Sequence, residues 1–218
     1  DQLREVRVGL YKPWAASMDE GWTRWLLEQY EFNVKSTDNK EVKSGSLNSS
    51  YDAIVLPDVD KEIIVEGKPK REEGQMKYFE ELPPEYSGGI TKDGVKNLKD
   101  FVEKGGTLIA MASSSDFVID EFNIPVQNTL AKATSEQFNC PGSILRVHVN
   151  PNHPVTYGLP DEVGAFQNER IAFQTSLHGG ELSHKVLAWY PKDSEDILLS
   201  GWISGEERLE RRTAAVAL

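Results

Sequence analysis

The chain has 218 residues, 39% of them hydrophobic and 27% charged, with a single cysteine and a formal net charge of −11. A chain of this length buries roughly 70% of its unfolded surface without needing a disulfide or metal staple, and one cysteine excludes an internal disulfide. The acidic balance argues against nucleic acid or anionic lipid as a partner, since both demand a basic surface. No apolar run approaches the length of a membrane span, so no membrane insertion is expected. The acidity is spread along the sequence rather than gathered in a tail, with 15 basic and 20 acidic residues up to position 100 and 9 and 15 beyond it.

Val6 to Tyr11 is β-rich and stops at Lys12-Pro13, which predicts a first strand. Asp19 is the expected cap of a helix whose apolar side carries Trp22, Trp25, Leu26 and Tyr30. Phe32 to Val34 reads as a second strand, and Tyr51 to Pro57 as a strongly apolar third. Near-continuous apolar strands alternating with helices predict a parallel sheet covered on both faces. Residues 59–89 interrupt that rhythm with polar, Gly- and Pro-rich sequence, and are expected to form a long functional loop or insertion.

Order resumes with Thr91 or Asp93 as a cap and with Val95, Leu98, Phe101 and Val102 on one helical face. Gly105-Gly106 is expected to end that helix, and Thr107 to Ala112 to follow as a buried strand. Ser113-Ser114-Ser115 then turns into a helix from Asp116 to Phe122. Beyond Ile124-Pro125 the predicted strands are shorter: Ile144 to Val149, Val186 to Tyr190 and Ile197 to Leu199. Trp202 to Arg212 reads as partly helical, and Ala214 to Leu218 as a strand beginning where the sequence stops, which leads to the expectation of a chain truncated before its last elements.

A strand–helix series that includes a helix, Gly-Gly and a buried strand resembles the flavodoxin-like class I glutamine amidotransferase superfamily. Val8 to Arg24, Pro83 to Ile90, Phe138 to Leu145 and Ser200 to Leu209 more narrowly resemble the amidotransferase-like region that follows the peptidase domain in bacterial zinc-carboxypeptidase-like proteins. The resemblance implies a single domain over 1–218, a flavodoxin-like three-layer α/β sandwich with a mostly parallel central sheet, a long insertion and an irregular C-terminal part. It also implies a peptidase domain of the same polypeptide as partner, and an exported bacterial protein.

The amidotransferase nucleophile is a cysteine on a tight strand-to-helix elbow, where a helix N-terminus lowers its pKa. The matching place here reads Ala112-Ser113-Ser114-Ser115, with neither the cysteine nor its flanking glycines. Ser113 and Ser114 are the hydroxyl candidates there, but a serine nucleophile needs a histidine base; helix capping is the competing role. Cys140 sits in a turn-like context away from the elbow and reads more readily as a buried small side chain.

His178, Glu181 and His184 are spaced like zinc ligands, but Gly179-Gly180 would break the helix that makes the spacing meaningful, so a loop is preferred and no metal is assigned. His153 lies in a His-Pro…Gly-Leu-Pro segment that reads as a structural bend. No glycine-rich phosphate loop follows the first strand, and no cofactor is expected.

In a doubly wound sheet, ligands bind outside the carboxyl ends of the strands. That edge would gather Lys12, Trp14, Asp19, Asp58, Glu85, Tyr86, Ser115 and Asp116 into a ligand or interface surface. The leading expectation is a non-catalytic accessory or interaction domain. The rivals are a divergent hydrolase or amidotransferase that uses an elbow serine or Cys140, and a small-molecule binding module.

Overall fold

A computed structural model describes residues 5–14, 17–68, 88–175 and 184–218. The chain divides into two compact units, Asp1–Phe122 and Asn123–Leu218.

The first unit is built on β1 (Arg7–Tyr11), β2 (Asn33–Thr37), β3 (Ala53–Leu56) and β4 (Thr107–Ala110), all parallel, in the order β2-β1-β3-β4. Its helices are α1 (Met18–Gln29), α2 (Asn39–Ser44), α3 (Leu47–Ser50), α4 (Lys61–Glu66), α5 (Thr91–Glu103) and α6 (Ser114–Phe122). Register places Leu10, Val55 and Ile109 side by side on one sheet face, and Gly9, Ile54 and Leu108 on the other. The second face carries the larger core, in which Ile54 and Leu56 meet Val42, Leu47, Ile64, Val95, Leu98, Phe101 and Phe117 from α2 to α6. On the first face Val8, Leu10 and Val55 pack with Leu27 of α1 and with Val34. Gly9 is needed where it stands, because a Cβ there would lie 2.6 Å from Thr37 Oγ1 and 2.9 Å from the Tyr51 ring.

Local signals account for the helix ends. Gly105, at φ 89°, gives its N–H to Val102 O and Gly106 gives its N–H to Phe101 O, both at 2.9 Å, the paired bonds of a Schellman stop. Two expected caps are corrected. Ser17, not Asp19, caps α1, its hydroxyl accepting the Glu20 N–H at 3.1 Å, and Asp19 sits in the first turn. Neither Thr91 nor Asp93 caps α5, which starts at Thr91 after Ile90 without a side-chain cap bond.

Helix α1 turns its apolar side outward. The stripe of Met18, Trp22, Trp25 and Leu26 faces solvent with Tyr30 beyond it, whereas Glu20 is buried and pairs with Arg24 at 2.6 Å. Periodicity located the stripe but not the side of the helix that meets the sheet.

The second unit is an antiparallel sheet of β5 (Val126–Asn128), β6 (Ser143–Val149), β7 (Glu162–Gln167), β8 (Phe173–Thr175), β9 (Lys185–Trp189), β10 (Leu198–Ser200) and β11 (Thr213–Ala217). The order is β10-β6-β9-β11-β8-β5, with β7 also paired to β6. Leu130, Phe138, Leu145, Val147, Tyr190, Ile197, Ile203 and Leu209 form its core. This part, expected to be irregular, is therefore regular. The sequence reading missed β5 and β8, three residues each, and β7, which has Gly164 mid-strand. The segment expected as a strand beginning where the sequence stops is β11, hydrogen-bonded between β9 and β8.

Candidate functional site at the strand-end edge

Parallel strands bring their carboxyl ends to one edge, and the loops that leave them form the surface where such sheets bind ligands. The Lys12 N–H donates to Thr37 O at 2.9 Å beside the end of β1, and the Met111 N–H donates to Leu56 O at 3.0 Å beside the ends of β3 and β4. Lys12 is exposed and Trp14 half exposed. Asp58 and Ser113 follow from the next two strands, and Asp19 lies exposed in the first turn of α1. Glu85 and Tyr86 lie outside the described residues.

The turn after β4 is the centre of this edge. Ala112 adopts φ 46°, in the left-handed region that a side chain with a Cβ rarely enters, and α6 begins two residues later. A strained strand-to-helix turn of this kind is how elbow enzymes hold a nucleophile forward. Here the residue that carries the strain presents a methyl group.

The next amide is also committed. Ser113 N–H donates to Asp58 Oδ1 at 2.9 Å. In elbow enzymes the N–H after the nucleophile stabilises the developing oxyanion. At this turn that donor is paired with a side-chain carboxylate, whose charge repels an incoming anion.

Ser114, one of the hydroxyl candidates, is fully buried. Its one hydroxyl proton is shared between Pro57 O, the nearer acceptor, and Val59 O at 3.1 Å, and the oxygen accepts the Val59 N–H at 3.2 Å. This hydroxyl ties the turn after β3 to the start of α6 and presents nothing to solvent, which corrects the reading of Ser114 as a nucleophile candidate. Ser115 Oγ reaches back to Ala110 O at 3.4 Å, and Asp116 gives its N–H to Ser113 O at 3.1 Å. Ser113 is half-buried. All four histidines of the sequence fall in the second unit, so Asp1–Phe122 supplies no imidazole base to the elbow.

The electrostatics of the edge are acidic. Asp60 follows Asp58, and its carboxyl is held above the usual range by partial burial first, then by Glu62 and Asp58. Lys61 bridges Asp120 at 3.0 Å and Glu121 at 3.1 Å on α6, so this cation is already neutralised. Such an edge disfavours anionic ligands.

The remaining candidates belong to the second unit. Cys140 is buried, with Sγ donating to Gln167 O at 3.2 Å. Tyr190 donates to Gln167 Oε1 at 3.2 Å, and burial, with the Cys140 thiol as a smaller cause, pushes its phenol well above its ordinary value. Cys140 is thus walled into the core, which corrects the reading of it as an alternative nucleophile. His153 Nδ1 accepts the Val155 N–H at 3.2 Å and caps the turn Pro154–Thr156. His178 and Glu181 lie outside the described residues, while His184 is half-buried just before β9. Among the described residues, no group of three or more His, Cys, Asp or Glu could hold a metal ion. His148, not singled out by sequence, lies 3.3 Å from Glu162 and against the Trp189 ring on the outer face of β6; alternation along β6 was its only sequence signal.

No family model and no curated protein matches this chain. Among solved structures it is similar to a glutamine amidotransferase from Thermotoga maritima, with a TM-score of 0.51 and 10% identity over 94% of this chain and 74% of that one. It is also similar to a GMP synthase-like protein from Thermoplasma acidophilum, with a TM-score of 0.48 and 13% identity over 87% of this chain and 75% of that one. A third, from Bacteroides uniformis and described as ThuA-like, has a TM-score of 0.49 and 14% identity over 91% of this chain and 76% of that one. The first of these likenesses carries the fold alone: a mixed α/β, flavodoxin-like arrangement in which helices accompany a parallel four-stranded sheet.

Proposed function

We propose that this chain is an amidotransferase-fold module that acts by binding and not by thiol chemistry. The observation that carries the reading is the elbow itself. The left-handed position is kept at Ala112, while its side chain is a methyl and the following amide is held by Asp58. A fold that retains the strained turn without nucleophile or free oxyanion donor is suited to presenting a surface. The accessory role would be played within a larger zinc-carboxypeptidase-like polypeptide, docked on its peptidase domain. Support for that context is the sequence resemblance over Val8 to Arg24 and the three later stretches.

The test is twofold. The purified chain, given glutamine and a panel of activated esters, should release neither ammonia nor alcohol above a buffer control. Mixed with the peptidase domain of its own polypeptide, it should bind in a calorimetric titration, and substitution of Lys12 and Trp14 on the exposed edge should weaken that binding. Turnover that disappears in Ser113→Ala or Cys140→Ala would overturn the reading.

A further inference from the structure

Helix α1 is built inside out. At about 100° per residue, Met18, Trp22, Trp25, Leu26 and Gln29 form one continuous stripe, and Glu20, Arg24 and Leu27 lie opposite. A stripe this wide is what a helix normally turns toward a core. Here the opposite side meets the sheet: Glu20 is buried, Leu27 packs on Val8, Leu10 and Val55, and the Arg24 guanidinium holds Glu20 at 2.6 Å. The stripe is left outward, with Met18 80%, Trp22 68%, Trp25 53% and Leu26 51% exposed. The Trp22 and Trp25 rings meet edge to face at 6.0 Å, so the two largest side chains are held as one shaped surface.

We infer that this face of α1 is a homodimer interface, occupied by the same face of a second copy. Two observations favour a second copy. The first is area. At these exposures, with the tryptophans each offering on the order of 150–250 Å² and Met18 and Leu26 about as much, the stripe brings roughly 500 Å² per copy. Two copies would bury about 1,000 Å², the lower bound of a specific interface. The second is charge. The chain carries a net charge of −11, yet Met18, Trp22, Trp25, Leu26, Gln29 and Tyr30 are all uncharged. Asp19 and Glu28 lie only on the flanks, where solvent and salt screen them within a Debye length of about 8 Å. Two copies can therefore meet without burying a charge, as an isologous contact requires of both surfaces. An anionic membrane is disfavoured by the same acidity. The inference does not depend on the reading of the elbow.

Sedimentation velocity of the whole chain from ~1 to ~100 µM should show a monomer–dimer equilibrium with a Kd in the micromolar range. The double variant W22E/W25E should raise that Kd at least ~100-fold, the loss expected when two central aromatic anchors are replaced by charges. Its circular dichroism and its Tm under monomeric conditions should match the parent. Tyr157→Glu, at a position 91% exposed in the second unit, should leave the dimer intact. The inference is overturned by any of four results: a parent that stays monomeric throughout, or a dimer that W22E/W25E does not dissociate. The third is a W22E/W25E monomer that melts below the parent monomer, which would mean that the stripe is covered by its own chain. The fourth is a parent monomer that floats with phosphatidylcholine vesicles, which would make the occupant a lipid surface.

Discussion

Asp58 and Ser113 stand on adjacent strand-end loops, and the carboxylate of the first accepts the amide of the second at 2.9 Å. The bond ties the turn after β3 to the elbow after β4 and occupies the donor on which an elbow enzyme would rely. A hydrogen bond to a charged acceptor contributes about 1.5–3 kcal/mol, and solvent at this partly buried site reduces that. Asp58→Ala should therefore lower unfolding stability by about 1–2 kcal/mol in urea titrations, and Asp58→Asn, which keeps an acceptor oxygen, by less.

Ala112 supplies a second measurable quantity. A residue with a Cβ in the left-handed region costs about 1–2 kcal/mol, partly offset on substitution by the unfolded-state entropy that glycine adds. Ala112→Gly should stabilise by about 0.5 kcal/mol, whereas the β-branched Ala112→Val should destabilise by more than about 1 kcal/mol. The midpoint of denaturant unfolding reads both, with the m-value unchanged.

Ser114 separates a structural hydroxyl from a catalytic one. Its Oγ is fully buried and serves Pro57 O, Val59 O and Val59 N–H. Ser114→Ala leaves those backbone groups short of a partner and should lower stability by about 1–3 kcal/mol. Ser115→Ala, whose hydroxyl makes one long bond to Ala110 O at 3.4 Å, should cost far less. Thermal melts of the two variants rank them.

Asp60 gives a pH signature. Its carboxyl titrates above the ordinary value because of partial burial, then Glu62 and Asp58. In the interval between the unfolded and folded pKa values the native state binds more protons, so stability is highest below the unfolded value and falls as pH rises through the folded one. Asp60→Asn should remove this part of the decline and stabilise at neutral pH but not at pH values below the unfolded pKa. The effect is small, since the side chain is exposed enough for water to screen it. Urea midpoints across the acid range, parent against variant, test the sign.

Cys140 should be silent in the native state. Buried, with Sγ on Gln167 O, it should react with a thiol-specific disulfide reagent only at the rate of opening, and fully in denaturant. Rapid native-state labelling would place it at the surface instead.

The sequence itself was explicit about the first unit. Apolar runs at Val6 to Tyr11 and Tyr51 to Pro57 are satisfied as buried parallel strands, and Gly105-Gly106 marked its helix end through local backbone chemistry; Thr107 to Ala112, expected to be buried, is instead the shorter edge strand β4, with Thr107 and Ile109 exposed. That Ala112 and three serines, and no cysteine, follow the β4 run was equally legible, because a residue's identity needs no tertiary context. The second unit was less so. Strands as short as Val126–Asn128 and Phe173–Thr175 carry too few residues for alternation to register, whereas β11 was legible as a strand and only its pairing with β9 and β8 was not.

Three things were decided by tertiary structure alone. The pairing of Asp58 with Ser113 spans 55 positions, a distance over which no local pattern operates. The burial of Ser114 between β3 and α6 turned one of three adjacent serines from a candidate nucleophile into a clamp. The side of α1 that faces inward is the one that reaches the sheet, with Leu27 on Val8, Leu10 and Val55 and Arg24 donating to Ser36 Oγ of β2 at 2.8 Å. Hydrophobic periodicity fixes the shape of a helix, but which side is covered depends on what the rest of the chain brings to it.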